Sequence, residues 1–211
     1  GRTELLQSLF GEYGVDITGS IEIDGEPCTI RSSRDAIALG MGLVTEDRKL
    51  TGLIPMHSVT SNISLPSLPR LSSGPVVDHG LELSSTQQFV DELNIRIPSL
   101  EAAVDTLSGG NQQKVSIAKW LMTSPRILLM DEPTRGIDVG TKYQIYEIMD
   151  LLAARGMAIV MVSSELPEIL GMSDRILVMH AGTAAGILDG SEADAETIMA
   201  LATMGARPVR T

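Results

Sequence analysis

From residue 110 onward the chain alternates amphipathic helical stretches with short apolar runs. Helices are expected over 110–122, 139–154 and 165–170, and strands over 126–130, 158–162 and 175–179. Strands joined through helices run parallel, because each crossover returns the chain to the same end of the sheet, and such sheets bury both faces. This alternation predicts an α/β core, closed by a short helix over 195–202. The first hundred residues read differently. Leu5, Leu6, Leu9 and Phe10 at helical spacing before Gly11 predict a helix over 3–10, and Ile21-Glu22-Ile23 before Asp24-Gly25 predicts a hairpin. Ser33 offers an N-cap to a short helix ending at Leu39. The run 42–45 predicts a buried strand leading into Glu46-Asp47-Arg48-Lys49. Between 56 and 80, serines and prolines predict loop with only short helices, followed by a helix over 85–94 with Phe89, Val90 and Leu93 as its apolar face. No internal repeat or long heptad run is present.

Composition narrows the function classes. With 211 residues, 43% of them hydrophobic, the chain can bury a real core and is not intrinsically disordered. Acidic side chains outnumber basic ones by 27 to 16, a net charge of −11, and no run of five lysines or arginines occurs. Nonspecific nucleic-acid binding through a basic surface is therefore excluded. The single cysteine, Cys28, cannot form an internal disulfide and reads as a small core residue. No apolar run approaches the roughly 20 residues of a membrane span. The opening Gly1-Arg2-Thr3, without methionine, reads as an internal cut in a longer polypeptide.

Two segments carry chemistry. Ile127-Leu128-Leu129-Met130 ends abruptly in Asp131-Glu132-Pro133, which sets two carboxylates at the carboxyl edge of a buried strand, where α/β sheets bind ligands. There an aspartate suits Mg²⁺, and a neighbouring carboxylate suits orienting or deprotonating a water. A solvated acidic turn is the plain alternative. Upstream, Leu107-Ser108-Gly109-Gly110-Asn111-Gln112-Gln113-Lys114 opens a helix. Its hydroxyl, its side-chain-free backbone and the positive end of the helix suit phosphate. A serine N-cap beside a glycine turn is the plain alternative there.

Taken in order, with 21 residues from Gly110 to Asp131, these segments resemble the signature motif and Walker B of ATP-binding cassette proteins. Gly1-Arg2-Thr3 is similar to the end of a P-loop, with arginine where lysine is expected. Glu46-Asp47-Arg48-Lys49 with Gly52-Leu53, and the Thr-Arg-Gly-Ile-Asp-Val-Gly tail from Thr134 to Gly140, are similar to one subgroup: ATPases of monosaccharide importers of the ribose, galactose and xylose type. In these two cassettes are fused, and the chain resembles the second. The resemblance implies a P-loop NTPase-like, mostly parallel sheet core with an antiparallel β region and a helical side lobe, the first core strand and part of the P-loop being absent from the sequence. It implies one cassette over 1–211. In it, 1–50 holds the partial P-loop, a helix and the antiparallel β region, 51–103 the helical lobe, and 104–211 the signature, Walker B and remaining α/β core.

ATP and Mg²⁺ are the implied cofactors. Gly1, Arg2, Thr3 and Glu46 would meet the chain's own nucleotide, with Thr3, Asp131 and Glu46 toward Mg²⁺ and Glu132 and Ser164 at the catalytic positions. Ser108, Gly109, Gly110 and Asn111 would meet ATP held by the first cassette of the same polypeptide. Asp138 would lie between the cassettes while also capping the helix from Val139. The implied partners are that first cassette, transmembrane permease subunits and, indirectly, a periplasmic or extracellular sugar-binding protein, with no nucleic acid. The implied location is peripheral, on the cytoplasmic face of the plasma membrane. The lobe and the joint at Glu46 would contact a cytoplasmic helix of a membrane subunit.

Departures from the family pattern carry their own implications. Glu46 stands where the family carries glutamine, Ser164 where it carries histidine, Arg2 for lysine, and Asn111 where glutamine is more usual. The histidines present, His57, His79 and His180, lie elsewhere in the motif order and read as ordinary residues. The expectation is an asymmetric half that completes the other site through its signature while its own site binds nucleotide and turns over slowly. A fully hydrolysing cassette and a non-enzymatic dimerisation and coupling half are the alternatives. A soluble cassette protein acting on ribosomes or DNA would need a basic surface or a coiled-coil insertion, and neither is visible.

Overall fold

The computed structural model describes residues 1–13 and 17–204; residues 205–211, the end of the expected third segment, lie outside the described residues. A parallel sheet of β3 (Met41–Val44), β6 (Ile127–Asp131) and β7 (Ala158–Val162) forms in the order β3-β6-β7. Central β6 is apolar until its last residue, and Leu128, Leu129 and Met130 are buried because strands and helices cover them on all sides. Helices α1 (Arg2–Phe10), α5 (Gly109–Leu121) and α6 (Val139–Ala154) pack against this sheet. Phe10 meets Trp120 edge-on, with ring centroids 5.3 Å apart, and joins α1 to α5. The expected α/β core is thus present, with α5 and β6 ending close to their expected bounds.

Antiparallel elements flank it. β1 (Ile21–Ile23) and β2 (Glu26–Cys28) pair around Asp24 and Gly25, both at positive φ as a two-residue hairpin turn requires. Cys28 is half-buried and packs against the core. α2 (Ser33–Ala38) is capped by Ser32, not Ser33: the Ser32 hydroxyl accepts from the Asp35 N–H at 3.3 Å. Inside the serine- and proline-rich stretch, α3 (Val59–Ser64) is almost wholly buried and packs on α5, and β4 (Ser72–Ser73) pairs with β5 (Val76–Val77). Helix α4 (His79–Glu92) starts six residues before its expected beginning, because Asp78 caps it by accepting from the Leu81 N–H at 3.0 Å. After α7 (Leu166–Met172), β8 (Arg175–His180) pairs with β9 (Thr183–Asp189), a partner strand the sequence reading omitted. α8 (Ala195–Met204) packs on β8, burying Ile198 against Ile176 and Val178.

The joint between sheet and side lobe is tight. Asp47 accepts from the N–H groups of Lys49 and Leu50, both at 3.0 Å, and starts a single π-helical turn over Arg48–Gly52. Beyond it, buried Asn62 accepts from the Ile54 N–H at 2.7 Å, and its Nδ2, with two hydrogens to donate, lies within hydrogen-bond reach of the Ile54, His57 and Ser58 carbonyls. One side chain fixes the loop that leads into the lobe.

Candidate functional site

Parallel strands deliver their carboxyl ends to one edge, and β6 delivers Asp131 there. The residue is 2% exposed, and its Oδ1 has no hydrogen-bond partner within the protein. Burial raises its pKa above the ordinary 3.8 and neighbouring Glu132 adds to the rise, while the nearby Thr3 side chain and the charge of Arg2 pull the other way. Thr3 and Arg2 reach this edge because α1 begins beside it. Arg2 Nη1 donates to the Ser163 carbonyl at 2.7 Å, so part of its fork is committed to the end of β7. Gly1 lies against the β8–β9 turn, where an added Cβ would sit 3.6 Å from Gly182 Cα. A buried carboxylate oxygen with no donor, beside a threonine hydroxyl, fits a small divalent cation that completes its shell with water and phosphate. Among the described residues no three His, Cys, Asp or Glu side chains form a metal site by themselves.

Glu132 follows in the left-handed region, with φ 48°. Its N–H donates to the Val162 carbonyl at 2.9 Å, extending the β6–β7 ladder by one step and turning its side chain toward the segment after β7. There the Ser164 hydroxyl donates to Glu132 Oε2 at 3.1 Å. The two expected catalytic positions are therefore in contact. Glu46 emerges from β3 on the neighbouring strand, and its carboxylate pairs with the Arg135 guanidinium.

The helix start carrying Ser108 is built from within the chain. The Ser108 hydroxyl caps α5, accepting from Asn111 Nδ2 at 3.0 Å and more loosely from the Asn111 N–H at 3.5 Å. Asn111 Oδ1 in turn accepts from the Arg96 N–H at 2.9 Å. The bare backbone of Gly110 is used internally, since an added Cβ would lie 2.4 Å from Thr141 Cγ2. Thr141 is held by Asp138, which accepts from its N–H at 3.0 Å and its hydroxyl at 2.7 Å; these bonds lower the Asp138 pKa and confirm it as the cap of α6. Gly109 lies beneath Arg48, whose Nη2 would be 2.9 Å from an added Cβ. The absence of a side chain at Gly110 thus serves packing as well, since Thr141 fills the space a Cβ would take.

Three further contributors had no site role assigned from the sequence. Arg48 bridges the joint to the loop after β6, its Nη1 donating to the Arg135 carbonyl at 3.2 Å, and burial lowers its pKa. Arg135 sits within the quoted Thr134–Gly140 string, yet nothing in its spacing points to Glu46. Glu168, on α7 and 4% exposed, accepts from the Thr134 hydroxyl at 2.8 Å and pins the loop after β6. An acidic residue on an otherwise apolar helix face was its one visible signal. His180 and His79 make local contacts away from this edge, with the Ala202 carbonyl and with Glu82.

The ABC transporter family model matches residues 1–135. A putative ribose/galactose/methyl galactoside import ATP-binding protein of Pseudomonas syringae pv. syringae is 50% identical over 203 residues, 96% of this chain and 38% of that protein. A ribose import ATP-binding protein of Bacillus cereus is 51% identical over 205 residues, 97% of this chain and 41% of that protein. The chain therefore spans well under half the length of these relatives. In three dimensions it is similar to a nucleotide-free ATP-binding cassette from an ABC transporter, with a TM-score of 0.76 at 19% identity over 90% of this chain and 76% of the other. At that identity the likeness shows a shared fold.

Proposed function

The chain belongs to the ABC transporter family, and from that premise we propose that it is one ATP-binding half of a monosaccharide importer, asymmetric in its two roles. Relatives named for ribose, galactose and methyl galactoside import support the sugar class. In this reading residues 1–50, 51–103 and 104–211 are the partial P-loop with its antiparallel region, the helical lobe, and the signature-bearing core of one cassette. Its partners are a first cassette, a membrane permease and, through that permease, a sugar-binding protein. Its place is the cytoplasmic face of the membrane; among the described residues no helix is long and apolar enough to cross it.

At the chain's own site Thr3, Arg2 and the start of α1 bind the phosphates of ATP. Asp131 and Thr3 would hold Mg²⁺, with Glu46 adjacent; the ion supplies neutralisation of phosphate charge. Glu132 is placed to orient a water, with Ser164 fixing its carboxylate. The observation that supports the asymmetry is that contact: the hydroxyl of Ser164, where the resembled family carries histidine, is spent on Glu132. Losing one preorganised transition-state contact costs on the order of 10²–10³ in rate. Ser108, capping α5 beside Gly109 and Gly110, presents the other half-site to ATP on the first cassette. Exposed Leu50 and Met56, beside the joint at Asp47, support an apolar docking face for the permease.

The test compares Glu132→Gln with Ser108→Arg in the assembled transporter. Sugar uptake should cease with Ser108→Arg and persist with Glu132→Gln. Equal loss in both would show that this site hydrolyses ATP as an essential step.

A further inference from the structure

Three carboxylates leave the sheet at one edge. The register sets Val44 opposite Met130, so the next residues, Thr45-Glu46 and Asp131-Glu132, leave side by side. Carboxylates gathered at one edge repel a polyphosphate brought to it. Asp131 is met by Thr3 and Arg2, and Glu132 by Ser164. Glu46 is met by the guanidinium of Arg135, on the opposite side of the joint. Arg135 is placed by its backbone: its N–H donates to the Glu132 carbonyl at 3.1 Å, and its carbonyl accepts from Arg48 at 3.2 Å. Beside it, Thr134 is anchored to buried Glu168. The turn after β6 therefore carries the cation that holds Glu46.

We propose that Arg135 is a positioning residue for nucleotide at this site: by pairing with Glu46 it draws that carboxylate off the phosphate path and cancels its charge. An acid is thereby tolerated where the resembled family carries an uncharged amide. The inference rests on the nucleotide-binding reading above. Arg135 is 66% exposed and Glu46 35%, so the effect weakens as salt rises.

The experiment photolabels the polypeptide that carries this chain with azido-ATP and Mg²⁺, scoring label recovered in peptides of this chain. Half-saturation should rise about tenfold with Arg135→Gln at low salt, corresponding to about 1.4 kcal/mol. It should return toward the starting value in Arg135→Gln/Glu46→Gln, stay within about threefold with Arg135→Lys, and show a smaller Arg135→Gln effect at high salt. In nucleotide-free protein the unfolding midpoints of the two single variants and the double should be non-additive, which reads the pair without nucleotide. Unchanged labelling with Arg135→Gln, or a loss that Glu46→Gln does not repair, overturns the inference while leaving nucleotide binding intact. Absence of label from the unsubstituted chain overturns the nucleotide reading and this inference together.

Discussion

Asp131 shows how one residue ties stability to function. Its folded pKa lies above 3.8, chiefly from burial, so the native state holds the proton more tightly than the unfolded chain. Its contribution to stability is therefore fully present below that ordinary value and is lost as pH rises through the folded value. Asp131→Asn should remove this loss: urea unfolding of nucleotide-free protein at neutral pH should show a higher midpoint than the unsubstituted protein, while Mg²⁺-dependent nucleotide binding disappears. A lower midpoint at neutral pH would contradict the account. Glu132 makes a similar point through its backbone, since a non-glycine residue at φ 48° carries about 1 kcal/mol of strain. Glu132→Gly should therefore unfold at higher urea than Glu132→Ala; the reverse order would remove the strain argument. Both carboxylates were legible as a pair because they follow an apolar run directly. The Glu46–Arg135 pair was not, because joining residues so far apart needs the β3–β6 register, which composition and spacing do not encode.

At the scale of elements, helix starts decide what the site can be. α5 begins where Gly110 presses on Thr141, so Gly110→Ala should destabilise the protein by about 1–3 kcal/mol through overpacking, measured by denaturant unfolding. Thr141→Ala in the same chain should recover part of it; a neutral Gly110→Ala would contradict the packing read here. Asn62 holds the loop into the lobe through both ends of its amide, so Asn62→Ala should cost about 1–3 kcal/mol and expose residues 54–58 to proteolysis. The core elements were legible because their apolar periods are long. The misses have local causes. Gly80 disguised the first turn of α4, which Asp78 nonetheless caps. The β8–β9 turn uses Ala181 and Gly182, both at positive φ, in place of the usual Asn-Gly signal, and β9 is built largely of small residues. Ser32 and Ser33 are chemically equivalent caps until Asp35 is positioned to choose between them.

At the scale of the whole molecule, a single loop after β6 borders both proposed half-sites: its Arg135 side chain reaches Glu46, and its carbonyl reaches Arg48, which covers Gly109. The joint expected to contact a membrane subunit presents only some of its side chains outward. Lys49 and Leu50 are exposed, whereas Arg48 turns inward. Lys49→Glu with Leu50→Asp should therefore leave ATP hydrolysis largely intact and sever it from sugar uptake, while Arg48→Glu should lower hydrolysis itself; normal uptake in the first variant would remove the docking face. The most direct measurement of the proposed asymmetry is the identity of the nucleotide at this chain's own site after one turnover of the assembled transporter, read by rapid quench and recovery of label bound to its peptides. Intact ATP should remain here while ADP appears at the other site; equal recovery of ADP from both sites would mean that the two sites turn over alike.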